Sequence, residues 1–212
     1  MLPIRAILFD ADGVIQHANA DDLPARLQRV LGFIPEDLDA FTREVFEAER
    51  PALAGQADFA EMLEPVVARR GAAGVAAELA GIWWCSIEAD QAMLAVVGKL
   101  RDQGIQCALA SNQQRYRAKY MGETLSYNAA FDRTFYSYQL GFTKPDIRYF
   151  EAIVAGLPFP PETVLFIDDA EENVTAAREA GFQAVQFVHP RNAHSVSMLK
   201  EVLQSFSVMV SE

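Results

Sequence analysis

Twice after residue 89 of this chain, a helical stretch ends at a glycine and gives way to an apolar strand. A helix over about 90–103 ends near Gly104, before the strand-like IQCALA at residues 105–110. A later helix ends near Gly181, before FQAVQFV at residues 182–188, and TVLFI at residues 163–167 forms a further apolar strand. Helices that end at glycine and alternate with apolar strands are typical of αβ units with a parallel sheet. The sequence therefore predicts an α/β fold.

One more strand precedes a long helical block. Ala6 to Phe9 are too short and too apolar to stand alone, so this strand should join the same sheet. Residues 16–89 have apolar residues at helical spacing in four successive stripes. The stripes are Leu23, Leu27, Val30 and Leu31; Leu38, Phe41, Val45 and Phe46; Phe59, Met62, Leu63, Val66 and Val67; and Val75, Leu79, Ile82 and Trp83. We therefore expect a core of residues 1–15 and 90–212, interrupted by a four-helix cap at 16–89.

Composition narrows the possible partners and the compartment. The net charge of −11 argues against nucleic acid or an anionic membrane as a partner, since both require a basic face, but it leaves room for a small anionic substrate. The only two cysteines, Cys85 and Cys107, form neither a disulfide framework nor a zinc set. We find neither an apolar run long enough to span a membrane nor a signal-peptide pattern. A soluble cytoplasmic protein is expected, and its oligomeric state is not indicated.

Polar residues follow three of the predicted strands at their carboxyl ends. They are Asp10 and Asp12 with Gly13 after the first strand, Ser111 and Asn112 after the second, and Asp168 and Asp169 after the third. In an open parallel sheet, ligands bind outside the carboxyl ends of the strands. The three groups should therefore converge on one crevice.

Two carboxylates at the end of an apolar strand need a compensating positive charge, because burial and mutual repulsion both oppose ionisation. Lys144 precedes Pro145, with a helix expected to begin at Pro145 or Asp146, so its ammonium should be held at a helix entrance. Mg²⁺, with oxygen ligands from Asp10 and Asp169, would supply the missing positive charge, and Lys144 would add a second one. Ser111 and Asn112 can donate hydrogen bonds to phosphoryl oxygens. These groups suit a magnesium-assisted reaction at phosphorus.

Each of these residues also has an ordinary structural explanation. Ser111-Asn112 could simply cap a helix, an isolated lysine is usually solvated, and acids are favoured at helix N-termini. All four groups in this order, each at a strand end or a helix start, make those explanations unlikely together. Gln16 and His17 follow the first acids and could face the same crevice, although His17 could equally be a solvated loop residue.

The four groups resemble the motifs of the haloacid dehalogenase-like hydrolases. The matching segments are ILFDADGV, ALASN, Lys144 within GFTKPDIRYF, and LFIDD followed by Asn173. The resemblance implies a Rossmann-like parallel sheet core with a helical cap inserted after the first motif. That organisation agrees with the helical block at residues 16–89.

The resemblance also implies a role for each motif residue. Asp10 would be the nucleophile that becomes phosphorylated, and Asp12 would be the general acid and base, with its backbone carbonyl on the metal. Ser111 would bind the phosphoryl group and Lys144 would stabilise it. Asp169 would ligate Mg²⁺ directly, with Asp168 acting through water, while Asp10 would complete the metal site.

Asp12 separates the subclasses of the family. Dehalogenases of this family typically lack an acid at that position, whereas a phosphate ester needs a proton donor for its leaving oxygen. The chain looks most like the branch that contains the phosphatase domain of soluble epoxide hydrolase and bacterial sugar-phosphate phosphatases. A Mg²⁺-dependent phosphatase acting on a small phosphorylated metabolite is thus expected. A phosphotransferase or mutase, a non-catalytic phosphate-binding module and a dehalogenase remain alternatives.

Overall fold

A parallel β-sheet forms the centre of the computed structural model, which describes residues 2–19, 23–189 and 194–211. The strands, numbered along the chain, are β1 (Ala6–Phe9), β2 (Gln16–Ala18), β3 (Ile87–Ala89), β4 (Gln106–Ser111), β5 (Arg133–Tyr136), β6 (Val164–Asp168) and β7 (Gln183–Gln186). Five of them pair in parallel in the order β5-β4-β1-β6-β7. The α/β class with a parallel sheet is confirmed, and β1 is its central strand.

Helices cover both faces of this sheet. They are α5 (Gln91–Asp102), α6 (Arg115–Glu123), α7 (Tyr127–Ala130), α8 (Ser137–Leu140), α9 (Ile147–Gly156), α10 (Glu171–Glu179) and α11 (Ser195–Ser205). Because successive side chains of a strand point to opposite faces, Ile7 and Phe9 of β1 pack with α5, α6 and α11, whereas Ala6 and Leu8 pack with α9 and α10. All four residues of β1 are buried for that reason. In the described residues, no helix is both long and apolar enough to cross a membrane.

Four helices between β2 and β3 form a separate hydrophobic core, and we call residues 23–84 the helical unit. Its helices are α1 (Leu23–Leu31), α2 (Leu38–Leu53), α3 (Phe59–Ala68) and α4 (Ala76–Trp84). The predicted stripes supply most of that core, including Leu27, Phe41 and Leu63. Phe46, predicted on the same apolar stripe as Phe41 and Val45, is instead 50% exposed and packs edge-on against the Trp83 ring at 5.4 Å.

Three strands were not predicted from the sequence. Residues 16–18 and 87–89, which were assigned to the helical block, instead form an antiparallel ribbon in which His17 pairs with Glu88. Strand β5 adds the edge beside β4. Strands β2 and β3 have three residues each, and β5 (RTFY) begins with two polar residues, so none of the three shows the apolar run that marks β1 and β6. Only the tertiary pairing defines them.

Polar and aromatic contacts join the helical unit to α6. Asp58, the N-cap of α3, accepts hydrogen bonds of 2.5 Å from the Tyr116 hydroxyl and from the Arg115 guanidinium. The rings of Trp84 and Tyr116 stack at 4.9 Å. Gly55 lies so close to the Tyr138 carbonyl that an added Cβ would be 2.4 Å from its oxygen. The helical unit therefore rests on the same end of the sheet as the predicted crevice.

A buried acid faces this junction from α2. Glu49 is 4% exposed, on the same helical face as Phe41 and Val45. Burial raises the pKa of Glu49 to about 7, with a smaller opposing effect from the Arg117 guanidinium. The carboxyl thus keeps its proton in the folded protein at a pH where it would ionise in the unfolded chain.

Replacement of Glu49 by glutamine should change the pH dependence of stability. Because the folded-state pKa is raised from 4.5 to about 7, Glu49 favours folding below pH 4.5, and this contribution is lost as the pH rises through about 7. We expect Glu49→Gln to exceed the wild type in free energy of unfolding by about 1–3 kcal/mol near pH 8, and to match it near pH 4.5. Urea unfolding at a series of pH values measures the difference.

Glu47→Gln provides the matched control, because Glu47 is an exposed acid on the same helix. It should leave the pH dependence of the wild type unchanged. Parallel curves for Glu49→Gln and the wild type between pH 5 and about 8 would contradict the assignment of a raised pKa to Glu49.

Candidate active site

The ammonium of Lys144 lies at the centre of the carboxyl end of the sheet. Its Nζ donates to Asp10 Oδ1 at 2.7 Å, to Asp168 Oδ2 at 2.6 Å and to the Ala110 carbonyl oxygen at 3.0 Å. These acceptors belong to the ends of β1, β6 and β4, three neighbouring strands. The Lys144 side chain is only 2% exposed, and that of Asp168 is fully buried. The structure thus brings three of the predicted site residues into direct contact.

Burial and charge act against one another on this group. Burial raises the pKa of Asp10 to about 7, and repulsion from Asp168 adds to this rise, against the attraction of Lys144. Burial lowers the pKa of Lys144, but the two carboxylates outweigh this effect, so the pKa lies above its ordinary value. Lys144 therefore stays charged and is the positive group that the buried acids require.

The backbone around Lys144 is fixed by Asn112. The Asn112 Nδ2 donates to the Lys144 carbonyl at 2.9 Å, and its Oδ1 accepts from the Lys144 backbone N–H at 2.8 Å. Helix α9 begins close by at Ile147 with Asp146 as its N-cap, one or two residues after the predicted start. In this structure Asn112 holds Lys144 in place, so the predicted donation from its amide to a phosphoryl oxygen stays a prediction.

A second pair of acids follows β6. Asp168 Oδ1 accepts from the Ala170 backbone N–H and from Asn173 Nδ2, both at 2.9 Å, so both of its oxygens are engaged. Asp169 is more exposed, and its carbonyl accepts a 2.9 Å hydrogen bond from Gln186. Burial raises the pKa of Asp169, with a further contribution from repulsion by Asp168. One oxygen each of Asp10, Asp168 and Asp169 lie within 4.8 Å of one another, close enough to hold one metal ion.

Asp12 lies beside this group with a side chain that is 43% exposed. Its Oδ1 accepts from Arg117 Nη2 at 2.6 Å and from Gln16 Nε2 at 3.0 Å, and its Oδ2 accepts from Gln113 Nε2 at 2.8 Å. The Gln113 amide also donates to Ser111 Oγ at 3.0 Å. The carboxylate is therefore held in one orientation from both sides while one part of it stays accessible.

Sequence reasoning missed two of the three residues whose side chains hold Asp12, Gln113 and Arg117. Gln113 immediately follows the predicted Ser111-Asn112 pair, and Arg117 lies in the first turn of α6. Glu49 interacts with the charge of Arg117. It interrupts the apolar stripe of α2 four residues after Val45, and this interruption is visible in the sequence. Gln16 does face the site.

His17 does not join the site residues. Its ring packs edge-on against the His189 ring at 4.1 Å. Asp12 is not among the three acids of the described residues whose side-chain oxygens lie within 4.8 Å of one another. Its predicted metal ligand is the backbone carbonyl.

The arrangement combines three chemical functions. A buried carboxylate, Asp10, lies against a fixed cation, Lys144. A neighbouring carboxylate, Asp12, is oriented and accessible. A further acid, Asp169, completes a set of hard oxygen ligands that suits a divalent cation. A nucleophile, an acid or base and an electrostatic stabiliser are the parts that hydrolysis through a covalent intermediate requires.

Comparisons with curated proteins match short segments. The chain is 36% identical over 55 residues to D-ribitol-5-phosphate phosphatase of Bacteroides thetaiotaomicron, 26% of this chain and 27% of that protein. It is 40% identical over 47 residues to enolase-phosphatase E1 of Picosynechococcus, covering 22% and 21% of the two chains. A segment of 57 residues is 40% identical to drimenol cyclase drtB of Aspergillus calidoustus, 27% of this chain and 11% of that protein. The chain thus matches about a tenth to a quarter of the length of these relatives.

Solved structures match nearly the whole chain. A haloacid dehalogenase family enzyme from Bacteroides thetaiotaomicron gives a TM-score of 0.76 at 19% identity, covering 91% of this chain and 98% of that one. A further structure of that enzyme was solved in complex with magnesium and inorganic phosphate. The L-2-haloacid dehalogenase RSc1362 gives a TM-score of 0.70 at 16% identity, covering 96% of this chain and all of that one. At these identities the likeness shows the fold.

The family itself is shown by a match over most of the chain. The family model for haloacid dehalogenase-like hydrolases matches residues 4–181, which include every motif residue from Asp10 to Asn173. With the fold and the grouped side chains described above, this chain belongs to the haloacid dehalogenase-like hydrolases.

Proposed function

We propose that this protein is a Mg²⁺-dependent phosphatase that hydrolyses a small phosphomonoester through an aspartyl-phosphate formed on Asp10. The observation that carries the proposal is the placement of Asp12. Its carboxylate lies next to the Asp10–Lys144 pair, is partly exposed and is oriented by Gln113 and Arg117. A phosphate ester needs such a proton donor at its leaving oxygen, whereas a carbon-halogen bond does not.

The residues present fit a magnesium ion. The oxygens of Asp10, Asp168 and Asp169 that lie within 4.8 Å of one another form an all-oxygen ligand set, which Mg²⁺ prefers. Gly13 makes room for Asp169: a Cβ at Gly13 would lie 2.3 Å from Asp169 Oδ2. Gly13 also has a φ of +82°, which favours glycine. When bound, the ion would polarise the phosphoryl oxygens and offset their charge.

The roles of the other residues follow from their contacts. Asp10 attacks phosphorus as a carboxylate, and the bond to the leaving oxygen breaks as the bond to Asp10 forms. Lys144, held by Asn112, offsets the charge on the phosphoryl oxygens without having to move. Ser111 Oγ accepts from Gln113, so its own hydrogen can be donated to a phosphoryl oxygen.

Asp12 acts twice in this scheme. It first protonates the leaving alkoxide, and the carboxylate that remains is stabilised by Arg117 and Gln113. It then takes a proton from the water that attacks the aspartyl-phosphate, which releases phosphate and restores Asp10. The proton balance closes over the two steps, because the proton given to the alcohol is recovered from water.

The comparisons support the choice of substrate class. Two of the partial relatives are phosphatases by name, and a structural neighbour was solved with magnesium and inorganic phosphate. The net charge of −11 disfavours nucleic acid as a substrate. We propose that residues 16–89 act as a cap that contacts the remainder of a small phosphorylated metabolite.

The first test is phosphate release from a panel of phosphomonoesters with Mg²⁺ and with EDTA. We expect turnover that requires the metal and is abolished in Asp10→Asn, because the amide cannot form the intermediate. Asp102→Asn is the control, since Asp102 is an exposed acid at the end of α5. Full activity in Asp10→Asn would exclude the proposed intermediate.

The same panel separates the alternatives. Transfer of the phosphoryl group to added sugars or alcohols in place of water would indicate a phosphotransferase or mutase. Halide release from 2-haloacids without phosphate release would indicate a dehalogenase. Binding of phosphate esters by a folded, metal-loaded protein that releases nothing would indicate a non-catalytic binding module.

Asp12→Asn should slow the two half-reactions differently. With an alkyl phosphate, loss of the proton donor should lower kcat by about 10²–10⁴. With p-nitrophenyl phosphate, whose leaving group needs no proton, formation of the aspartyl-phosphate should continue and its hydrolysis should become limiting. Stopped-flow absorbance should then show a burst of nitrophenolate close to the enzyme concentration. Equal losses for both substrates with no burst would contradict the acid–base role.

Gly13→Ala tests whether the Asp169 carboxylate must lie this close to the Gly13 backbone. The added Cβ forces Asp169 to move, so we expect Mg²⁺ affinity and kcat/KM to fall, the latter by about 10²-fold. Gly104→Ala is the matched control, because its φ of +83° is nearly the same while nothing lies within 4 Å of its added Cβ. That control should lose about 1–2 kcal/mol of stability and keep its activity. Equal activity losses in the two variants would show that backbone strain alone is responsible.

A further inference from the structure

A second group of metal-binding side chains lies outside the candidate active site. His17 of β2, Asp90 after β3 and His189 after β7 each place one ligand atom within 4.8 Å of the other two. The sequence has only three histidines, and two of them meet here. His189 Nε2 lies 3.0 Å from Asp90 Oδ2, and the His17 and His189 rings contact at 4.1 Å.

We propose that His17, Asp90 and His189 form a binding site for Zn²⁺, with water as the fourth ligand. Two imidazoles and one carboxylate suit zinc, whereas Mg²⁺ prefers oxygen ligands alone. Zn²⁺ should therefore prefer this site to the all-oxygen ligand set of Asp10, Asp168 and Asp169. We assign this ion no role in the reaction. Among the described residues, none of its three ligands is hydrogen-bonded to Asp10 or Lys144.

The ligands are already oriented by neighbours. Asp90 Oδ1 caps α5 by accepting from the Ala92 and Met93 backbone N–H groups at 2.9 and 3.0 Å, which leaves Oδ2 facing His189. On its other side, His189 Nδ1 lies 3.4 Å from Ser195 Oγ. A partner on the second ring nitrogen fixes how a histidine faces a metal, as is usual in zinc sites.

Only a small adjustment is needed to close the site. Zinc bonds of about 2.0–2.1 Å place tetrahedral ligands about 3.4 Å apart. The His189–Asp90 distance of 3.0 Å is already close to that value. The widest separation, at most 4.8 Å, must shorten by about 1.4 Å or less, which a side-chain rotation can supply.

Solvent reaches the group at Asp90, whose side chain is 21% exposed, whereas that of His189 is 2% exposed. A surface depression of about 400 Å³ is lined by His17, Asp90 and residues next to them, including Glu88 and Gln91. This opening would give an ion a route in and would leave room for a water ligand.

The location suggests what the ion would do. The chain enters the helical unit through β2 and leaves it through β3, and the Asp90 backbone N–H donates to the Ile15 carbonyl at 2.8 Å. A zinc ion on His17, Asp90 and His189 would tie both connecting strands to the end of β7. Because the ion would bind the folded chain more tightly than the unfolded chain, it would stabilise the fold. It would also restrain movement of the helical unit at its base.

Direct metal binding to the Mg²⁺-saturated protein tests the proposal without reference to activity. We expect one Zn²⁺ per chain by calorimetry, and Co²⁺ in its place should give the intense visible absorption of a four-coordinate site. His17→Gln and His189→Gln should each weaken binding by about 100-fold or more, and Ser195→Ala by about 10-fold. Asp90→Asn should weaken binding while it keeps the helix cap, because the amide oxygen can still accept from the backbone.

Two controls exclude other zinc ligands. Asp169→Asn removes an acid of the candidate active site, and Cys85→Ser removes the partly exposed thiol. Both should bind Zn²⁺ as the wild type does. The proposal fails if the Mg²⁺-saturated protein takes up no Zn²⁺, or if His17→Gln and His189→Gln, shown to be folded by circular dichroism, bind it unchanged. It also fails if either control variant loses the ion.

Discussion

The buried contact of Lys144 with Asp10 and Asp168 is the constraint on which the arrangement of this site depends. Each charge would cost several kcal/mol to bury alone, and removal of one partner from such a group typically costs 3–5 kcal/mol. Lys144 can reach both carboxylates only because β1 and β6 are neighbours and end at the same level. Asn112 at the end of β4 then fixes the lysine backbone. The charge group of Lys144, Asp10 and Asp168 therefore depends on the strand order and register of the sheet.

The charge group also explains why the two acids near β1 differ. Asp10 is buried against Lys144, whereas Asp12 is partly exposed and bound by Arg117, Gln113 and Gln16. One carboxylate is therefore held in a dry environment next to a fixed cation, and the other contacts solvent. Two carboxylates with such different surroundings are suited to different chemical roles, which agrees with a nucleophile at Asp10 and an acid and base at Asp12.

The helical unit and the sheet meet through α6. Its residues Arg115 and Tyr116 bind Asp58 of the helical unit, while Arg117 binds Asp12 and lies near the buried Glu49. Helix α6 therefore links the helical unit directly to the surroundings of Asp12. The ribbon of β2 and β3 joins the unit to the sheet at a different point, where His17, Asp90 and His189 converge.

The sequence by itself determined the fold class, the central strand Ala6–Phe9, most of the core of the helical unit and the set of polar residues at the strand ends. These features are readable because the spacing of apolar residues within a segment reports its own period, and because parallel strands place their carboxyl ends together. A break in such a period, as at Glu49, is also a local signal. Most of the sequence-based assignments that are right rest on residues close together in the chain.

Only the tertiary structure decided which distant side chains meet. Arg117 binds Asp12 across 105 residues, Gln113 binds it across 101, and His17 packs against His189. The edge strand β5 and the β2–β3 ribbon are defined by pairing with remote segments, and Phe46 lies outside the core that contains Phe41 and Val45 of its stripe. These contacts depend on how elements pack in three dimensions, and no spacing within one segment records that packing.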